Sequence, residues 1–288
     1  MTRPRVLLAS CAALPRSNAD DTALPEVLAE VGVEADWAPW DDPAAPFGSA
    51  DLVVLRSTWD YPVRRKEFLA WCDAVPALAN PAAVARWNTD KAYLADLAAH
   101  GVPVVPTELI APGEPLRAPE EGFVLKPAVG ASSRGAARFA AGELGAARSH
   151  LAALHAEDQV VLVQPYQRAV DGEGETALVF LGGVFSHAFV KGAMLPDPAV
   201  SGPGPGERFG VLPDAALRRA AEDAVDAAAA LRGLRRADLL YARVDLVRGE
   251  DGAPVLLELE LTEPSLGFAQ ADPGALPRFA SAIRAAVG

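Results

Sequence analysis

The chain has 288 residues, more than one average domain and fewer than three, so two or three packed lobes over more than one core are expected. Apolar residues make up 51% of it, yet no run approaches the roughly 20 uncharged apolar residues of a spanning helix, which argues against a helical membrane protein. The net charge of -12 opposes a polyanionic partner, and two distant cysteines, Cys11 and Cys72, indicate neither a disulfide framework nor a zinc site.

Two arginines before a short apolar stretch give the N-terminus a superficial likeness to a secretory signal. The alternative is a buried strand over residues 6–9, then a loop and an amphipathic helix carrying Leu24, Val27, Leu28 and Val31, as expected of a cytoplasmic enzyme. Strand-like runs at residues 5–10 and 52–56 bracket that helix and read as a parallel βαβ unit. Next comes a helix capped at Asn88 or Thr89, with an apolar face of Tyr93, Leu94 and Leu97 and a stop at Gly101. Strands and hairpins follow at residues 122–126, 160–164, 176–181 with 184–191, and 241–261, giving an α+β pattern after the α/β start. Helices are expected at residues 214–231 and 276–287. The proline and glycine cluster of residues 196–210 reads as a mobile surface loop of the kind that forms lids.

The most informative stretch is YARVDLVRGEDGAPVLLELEL, where Asp251-Gly252 between two β-rich runs signals a hairpin. With those two residues as the loop, Asp245 falls opposite Glu258 and Arg243 opposite Glu260, all on one face. The other face carries Val244, Leu246, Leu257, Leu259 and Leu261 and is expected to be buried. Opposed carboxylates about 5 Å apart repel by roughly 3 kcal/mol at an effective dielectric near 20, so something must compensate. Asp245, Glu258 and Glu260 are hard oxygen ligands suited to magnesium; the alternative is a solvated acidic face.

A second candidate lies in FVLKPAVGASSRGAARFA, where Lys126 ends a strand and the Gly130-Ala131-Ser132-Ser133-Arg134-Gly135 loop returns into an extended run. Small residues and hydroxyls there can bring donors to phosphate oxygens, although a plain hairpin turn has the same composition. It is not a P-loop, because the lysine precedes the glycines and no helix follows. Lys91, placed early in its helix against the dipole, hints at an anionic partner. Lys191 and Arg208 flank the proline and glycine cluster and are candidates for phosphate or substrate carboxylate.

Taken in order, Lys91, Lys126 with its loop, the VQPYQ stretch, Arg243 with Asp245, and the ELE triplet resemble the ATP-grasp superfamily. The string VVLRSTWDYP with LANP and ARWNTDK is most similar to the glutathione-synthetase-like branch that includes the ring-closing ligase of cycloserine biosynthesis. The resemblance covers residues 80–288. It implies an ATP-grasp fold divided into an N-terminal α/β domain (residues 1–88), a small lobe with its linker helix (89–166) and a large lobe carrying the metal site (167–288). It also implies that Lys91 and Lys126 contact phosphates, that the Gln164-Pro165-Tyr166-Gln167 hinge presents backbone groups to adenine, and that Glu175, ahead of Glu173, contacts the nucleotide. Asp245, Glu258 and Glu260 then hold two magnesium ions. By analogy Arg56, Ser57, Thr58 and Trp59, after the end of a parallel strand, line the acceptor side. Two departures stand out: Glu258-Leu259-Glu260 replaces the common Glu-x-Asn, and Ala177 stands where an arginine often helps to hold substrate.

The implied reaction is attack of a carboxylate on the γ-phosphate of ATP, then displacement of the acyl phosphate by a nitrogen nucleophile, with Arg243 stabilising the charge of the second step. No covalent enzyme intermediate is required, in keeping with the lack of GxSxG, HExxH or Cys-His motifs. Expected partners are a small carboxylic acid and an amine, drawn from amino acids, dipeptides, hydroxyurea-like precursors or natural-product acids, with no nucleic acid and no membrane. Ring closure within one molecule, as in antibiotic biosynthesis, belongs to the same class. A homodimer is the ordinary expectation at this size. Rival readings are a regulatory ATP-binding module and a phosphotransferase that stops at the phosphorylated product.

Overall fold

The computed structural model describes residues 2–17, 20–131, 133–195 and 206–288. Its first sheet is parallel, in the order β2-β1-β3-β4: β1 (Arg5–Ser10), β2 (Glu34–Pro39), β3 (Leu52–Ser57) and β4 (Leu78–Ala79). β1 and β3 are apolar on both faces because both faces are covered. Val6, Leu8 and Val54 pack with α1 (Leu24–Glu30), whereas Leu7, Val53 and Leu55 pack with α2 (Arg65–Ala74). The βαβ unit expected from sequence holds one strand more, β2, whose exposed Glu34 and Asp36 leave it less apolar than β1 and β3.

The expected single helix after this sheet is two: α3 (Ala82–Asn88) and α4 (Tyr93–Ala99), joined by a turn that carries Lys91. Asn88 ends the first helix rather than capping the second, because its side chain is engaged by the backbone of Leu259 and Leu261. The second sheet is antiparallel, in the order β5-β8-β6-β7, from β5 (Glu108–Ile110), β6 (Phe123–Pro127), β7 (Ala137–Phe139) and β8 (Val161–Pro165). α5 (Leu144–Ala156) covers it with Ala147, Leu151 and Leu154, which share one face at helical spacing.

The third sheet, in the order β11-β10-β9-β12-β13, follows the short α6 (Ala169–Glu173). It comprises β9 (Glu175–Leu181), β10 (Val184–Lys191), β11 (Arg208–Val211), β12 (Tyr241–Arg248) and β13 (Pro254–Glu260). One face is covered by α7 (Ala215–Leu231), whose stripe of Leu217, Ala221, Ala224, Val225 and Ala228 is small enough for close approach. Asp214 starts that helix, its carboxylate accepting from Leu217 N at 2.9 Å. The other face receives α8 (Ala275–Ala286), whose Phe279, Ala280 and Ile283 share one core with Val6, Leu8 and Leu28.

Of the loop expected over residues 196–210, residues 196–205 lie outside the described residues. The remainder departs from expectation: Arg208–Val211 is an edge strand, antiparallel to β10. Gly210 suits that edge because a Cβ there would run into the Gln270 carbonyl.

Polar ties join the first and third sheets. Asn80, fully buried, donates to Tyr241 O (2.9 Å) and Leu261 O (2.7 Å) and accepts from Leu240 N (2.7 Å). The Tyr241 hydroxyl lies 2.8 Å from Leu55 O and 2.7 Å from Thr262 O. Among the described residues no helix is long and apolar enough to cross a membrane.

Candidate active site

A cleft of about 440 Å³ opens between the second and third sheets, with Trp59 and Tyr61 from the segment after β3 closing one end. Its floor is the β12–β13 hairpin. Arg243 pairs with Glu260, Val244 with Leu259 and Asp245 with Glu258, which are the pairs expected from sequence. They arise by another route. The turn spans residues 249–253, closed by Gly252 N to Gly249 O and Gly249 N to Ala253 O, both 2.9 Å, so Arg248 faces Pro254 and the register is one residue out. A bulge at Leu257, between the Leu246–Leu256 pair and the Asp245–Glu258 pair, restores it. Hence Leu256, not Leu257, is the buried core residue, and Leu257 joins the cleft wall.

The carboxylate oxygens of Asp245, Glu258 and Glu260 come within 4.8 Å of one another. Cations hold them there. Arg243 donates to both oxygens of Asp245 at 2.9 Å, ion-pairs with Glu260 and donates to Ser265 O at 2.9 Å. Lys191 lies 2.6 Å from Asp245 and 2.8 Å from Glu175, and Lys91 lies 3.3 Å from Glu258. Burial opposes the charge on Asp245, but Arg243 and Lys191 outweigh it and hold the carboxyl at about 2. Burial likewise opposes charge on Glu258, where Lys91 and Lys126 prevail and its pKa stays below the ordinary range. For Glu260 burial wins over Arg243 and the pKa is raised. Three hard oxygen donors converging in a half-buried cleft suit a divalent cation.

The candidate phosphate ligands meet at the same cleft. Lys91 N donates to Ala128 O and its Nζ to Gly130 O, both at 2.9 Å, tying the inter-helix turn to the start of the glycine-serine loop. Lys91 does not oppose a helix dipole as expected, because it precedes α4 instead of lying in its first turn. Lys126 projects from β6 into the cleft with no carboxylate at ion-pair distance among the described residues, and burial lowers its pKa. Gly130, Ser133 and Arg134 line the cleft; Ser132 lies outside the described residues.

Gln164, Tyr166 and Gln167 form the wall where β8 ends. Gln164 donates to Thr107 Oγ1 at 2.8 Å, Gln167 donates to Pro165 O at 3.1 Å, and the Tyr166 ring stacks under the Arg138 guanidinium at 3.6 Å. Glu175 faces them from β9, whereas Glu173 is exposed. Gly174 keeps the two acids apart in role: at φ +75°, it has no room for a Cβ against the Lys191 carbonyl.

On the acceptor side the structure divides the sequence candidates. Trp59 lines the cleft and donates from Nε1 to Glu263 O at 2.9 Å. Arg56, Ser57 and Thr58 are buried and are not among the lining residues. Arg56 donates to Asp21 at 2.6 Å and to Pro264 O at 3.1 Å, with its guanidinium over Tyr241 and Phe279. Arg208 reaches the cleft from β11 and donates to Ser265 Oγ at 2.9 Å. Ala177, opposite Asp245, is fully buried in the core.

The cleft wall also holds Tyr61, Glu263 and Ser265, which have no role in the sequence-based expectations, and Asn88, expected only as a helix cap. None carries a local pattern; each is placed by a contact distant in sequence.

The sequence model of a family described as the D-cycloserine synthetase DcsG, N-terminal domain, matches residues 6–83. The cycloserine biosynthesis protein DcsG of Streptomyces lavendulae is 42% identical over 278 residues, 92% of each chain. A crystal structure of the D-cycloserine synthetase DcsG superposes with a TM-score of 0.89 at 38% identity, covering 99% of this chain and 100% of that one. The D-alanine–D-alanine ligase of Bacillus anthracis shares the fold at a TM-score of 0.67 and 15% identity, over 99% of this chain and 97% of that one.

Proposed function

The chain belongs to the DcsG family of ATP-grasp ligases, and on that footing we propose that it uses magnesium and ATP to close a cycloserine-type ring within one amino acid. Opening the ring amide of cycloserine with water, on paper, leaves an α-amino acid whose β-carbon bears an aminooxy group. The proposed substrate is therefore β-aminooxy-D-alanine, free or carried as its ureido derivative.

The observation that carries this reading is the convergence of Lys91, Lys126, Lys191, Arg243 and the hairpin acids on one cleft. In the first step a carboxylate oxygen of the substrate attacks the γ-phosphorus of ATP and ADP departs, giving an acyl phosphate. In the second the aminooxy nitrogen attacks the acyl carbon, phosphate leaves with the C–O bond electrons, and the nitrogen loses a proton; with the ureido derivative the carbamoyl group on that nitrogen must also leave, taking up one water to give carbon dioxide and ammonia. Lys126, with no carboxylate at ion-pair distance among the described residues, is available to the nucleotide phosphates. Lys91, held by Gly130 O and Glu258, links the glycine-serine loop to the floor of the cleft. Arg243, fixed by Asp245, Glu260 and Ser265 O, presents a preorganised charge toward the oxyanion of the second step. The Gln164 to Gln167 wall is assigned to adenine. Asp245, Glu258 and Glu260 would hold magnesium, which when bound neutralises charge on the transferring phosphoryl group.

We place the reaction in the cytoplasm, where ATP is available; Cys11 and Cys72 are both free. The test is ADP release from ATP and magnesium with β-aminooxy-D-alanine and with its ureido derivative, followed by product mass. A product with the mass of cycloserine, formed with one ADP each, is expected. ADP release that yields only a phosphorylated acid would overturn ring closure.

A further inference from the structure

We infer that Glu263 is the specificity residue that holds the α-ammonium group of the substrate, with Tyr61 beneath it as a positioning residue. The inference rests on the amino-acid substrate proposed above and deepens it.

Among the described residues, the cleft carboxylates withdrawn from solvent each have a cation except one. Glu175 has Lys191, Glu258 has Lys91 and Glu260 has Arg243. Glu263 lines the same cleft and has no ion-pair partner there; Tyr61, whose hydroxyl is a neighbour that favours its charged form, lines the cleft beside it. Burial pushes its carboxyl up to about 8, Glu260 adds to the rise, and Lys91 offsets only part of it. A carboxyl withdrawn from solvent with no cation at ion-pair distance gains most from an arriving one. Lys126 presents the mirror image for an arriving anion.

The backbone around Glu263 is held on both sides, as a recognition group requires. Glu263 O accepts from Trp59 Nε1, Pro264 O accepts from Arg56, and Thr262 O meets the Tyr241 hydroxyl. Arg56 thus acts through the 262–264 segment. Among the described residues Glu263 is not part of the three-acid group that could hold a metal, and it lines the cleft together with Trp59 and Tyr61. An ammonium bound there leaves the neighbouring α-carboxylate directed toward the hairpin floor, where phosphoryl transfer occurs.

The experiment compares matched acids with and without the α-amino group: β-aminooxy-D-alanine against 3-aminooxypropionate, and D-alanine against propionate. ADP release is measured with wild type, Glu263→Gln and Glu263→Asp. The wild type is expected to favour the ammonium-bearing acid. Glu263→Gln should raise its KM about 10- to 100-fold, with kcat and the desamino acid little changed, so the preference collapses. Glu263→Asp should recover part of it. Equal loss on both members of a pair, or a fall in kcat with KM unchanged, would overturn the role and point to structural support or proton transfer. Preference for D-alanine over propionate, lost in Glu263→Gln, with no ADP release on β-aminooxy-D-alanine, would keep the role and overturn the ring-closing substrate. No release with any acid would contradict both.

Discussion

The side-chain amide of Asn88 brackets Glu260: its nitrogen donates to Leu259 O and its oxygen accepts from Leu261 N, each at 2.7 Å. The end of α3 thereby satisfies the free edge of β13 on both sides of a candidate metal ligand. Removing the amide leaves a buried carbonyl and a buried N–H without partners. Asn88→Ala should destabilise the protein by about 2–4 kcal/mol, read by urea unfolding. A change below about 0.5 kcal/mol would contradict this structural role.

Glu258 contributes to the candidate metal group and to an ion pair with Lys91. Glu258→Gln keeps the shape and removes the charge. We expect magnesium-dependent ADP release to fall about 100-fold or more while the unfolding midpoint stays within a few degrees. Normal activity in this variant would remove Glu258 from the metal site.

Lys126 and Lys191 make a contrasting pair. Lys126 is withdrawn from solvent and has no ion-pair partner among the described residues, whereas Lys191 neutralises Asp245, which is fully buried, and Glu175. Lys126→Met should leave the nucleotide-free protein as stable or slightly more so, and raise the KM for ATP about 10- to 100-fold. Lys191→Met should instead destabilise it by about 3 kcal/mol, because a buried carboxylate loses a partner. Equal stability losses in the two variants would contradict the assignment.

Glu263 makes the metal-free protein sensitive to alkali. Its carboxyl titrates near about 8 when folded, against an ordinary 4.5, so between these values the folded form keeps a proton that the unfolded chain has lost. Stability is therefore greatest below pH about 4.5 as far as this group is concerned, and falls as pH rises toward about 8. Glu263→Gln should remove about 1–2 kcal/mol of that fall, measured by urea unfolding in chelator at pH about 5 and about 9. A slope unchanged by the substitution would refute the assignment.

Much of the floor of the cleft was legible because strand alternation and apolar faces constrain a hairpin strongly. Even there the agreement at Asp245 and Glu258 conceals two opposite departures, a longer turn and a bulge at Leu257. Neither has a local signature, since Gly249 and Gly252 both permit the turn and the Leu256-Leu257 repeat permits either residue inside. Lys91 was found, but by a dipole argument that the break between α3 and α4 removes; the break follows from Asn88 bonding β13 171 and 173 residues away. Arg56 followed the rule that ligands gather past parallel strand ends, yet it is drawn inward by Asp21 and two aromatic rings. Glu263 escaped notice because a single glutamate in a strand exit, between Thr262 and Pro264, acquires meaning only when Tyr61 and Trp59 close over it.

Ring closure by the proposed route passes through an acyl phosphate formed from the substrate's own carboxylate. Its most direct test is a single turnover with β-aminooxy-D-alanine carrying heavy oxygen in the carboxylate, followed by mass analysis of the released phosphate. One labelled oxygen in each phosphate is the predicted result; phosphate free of label, with cycloserine still formed, would contradict it.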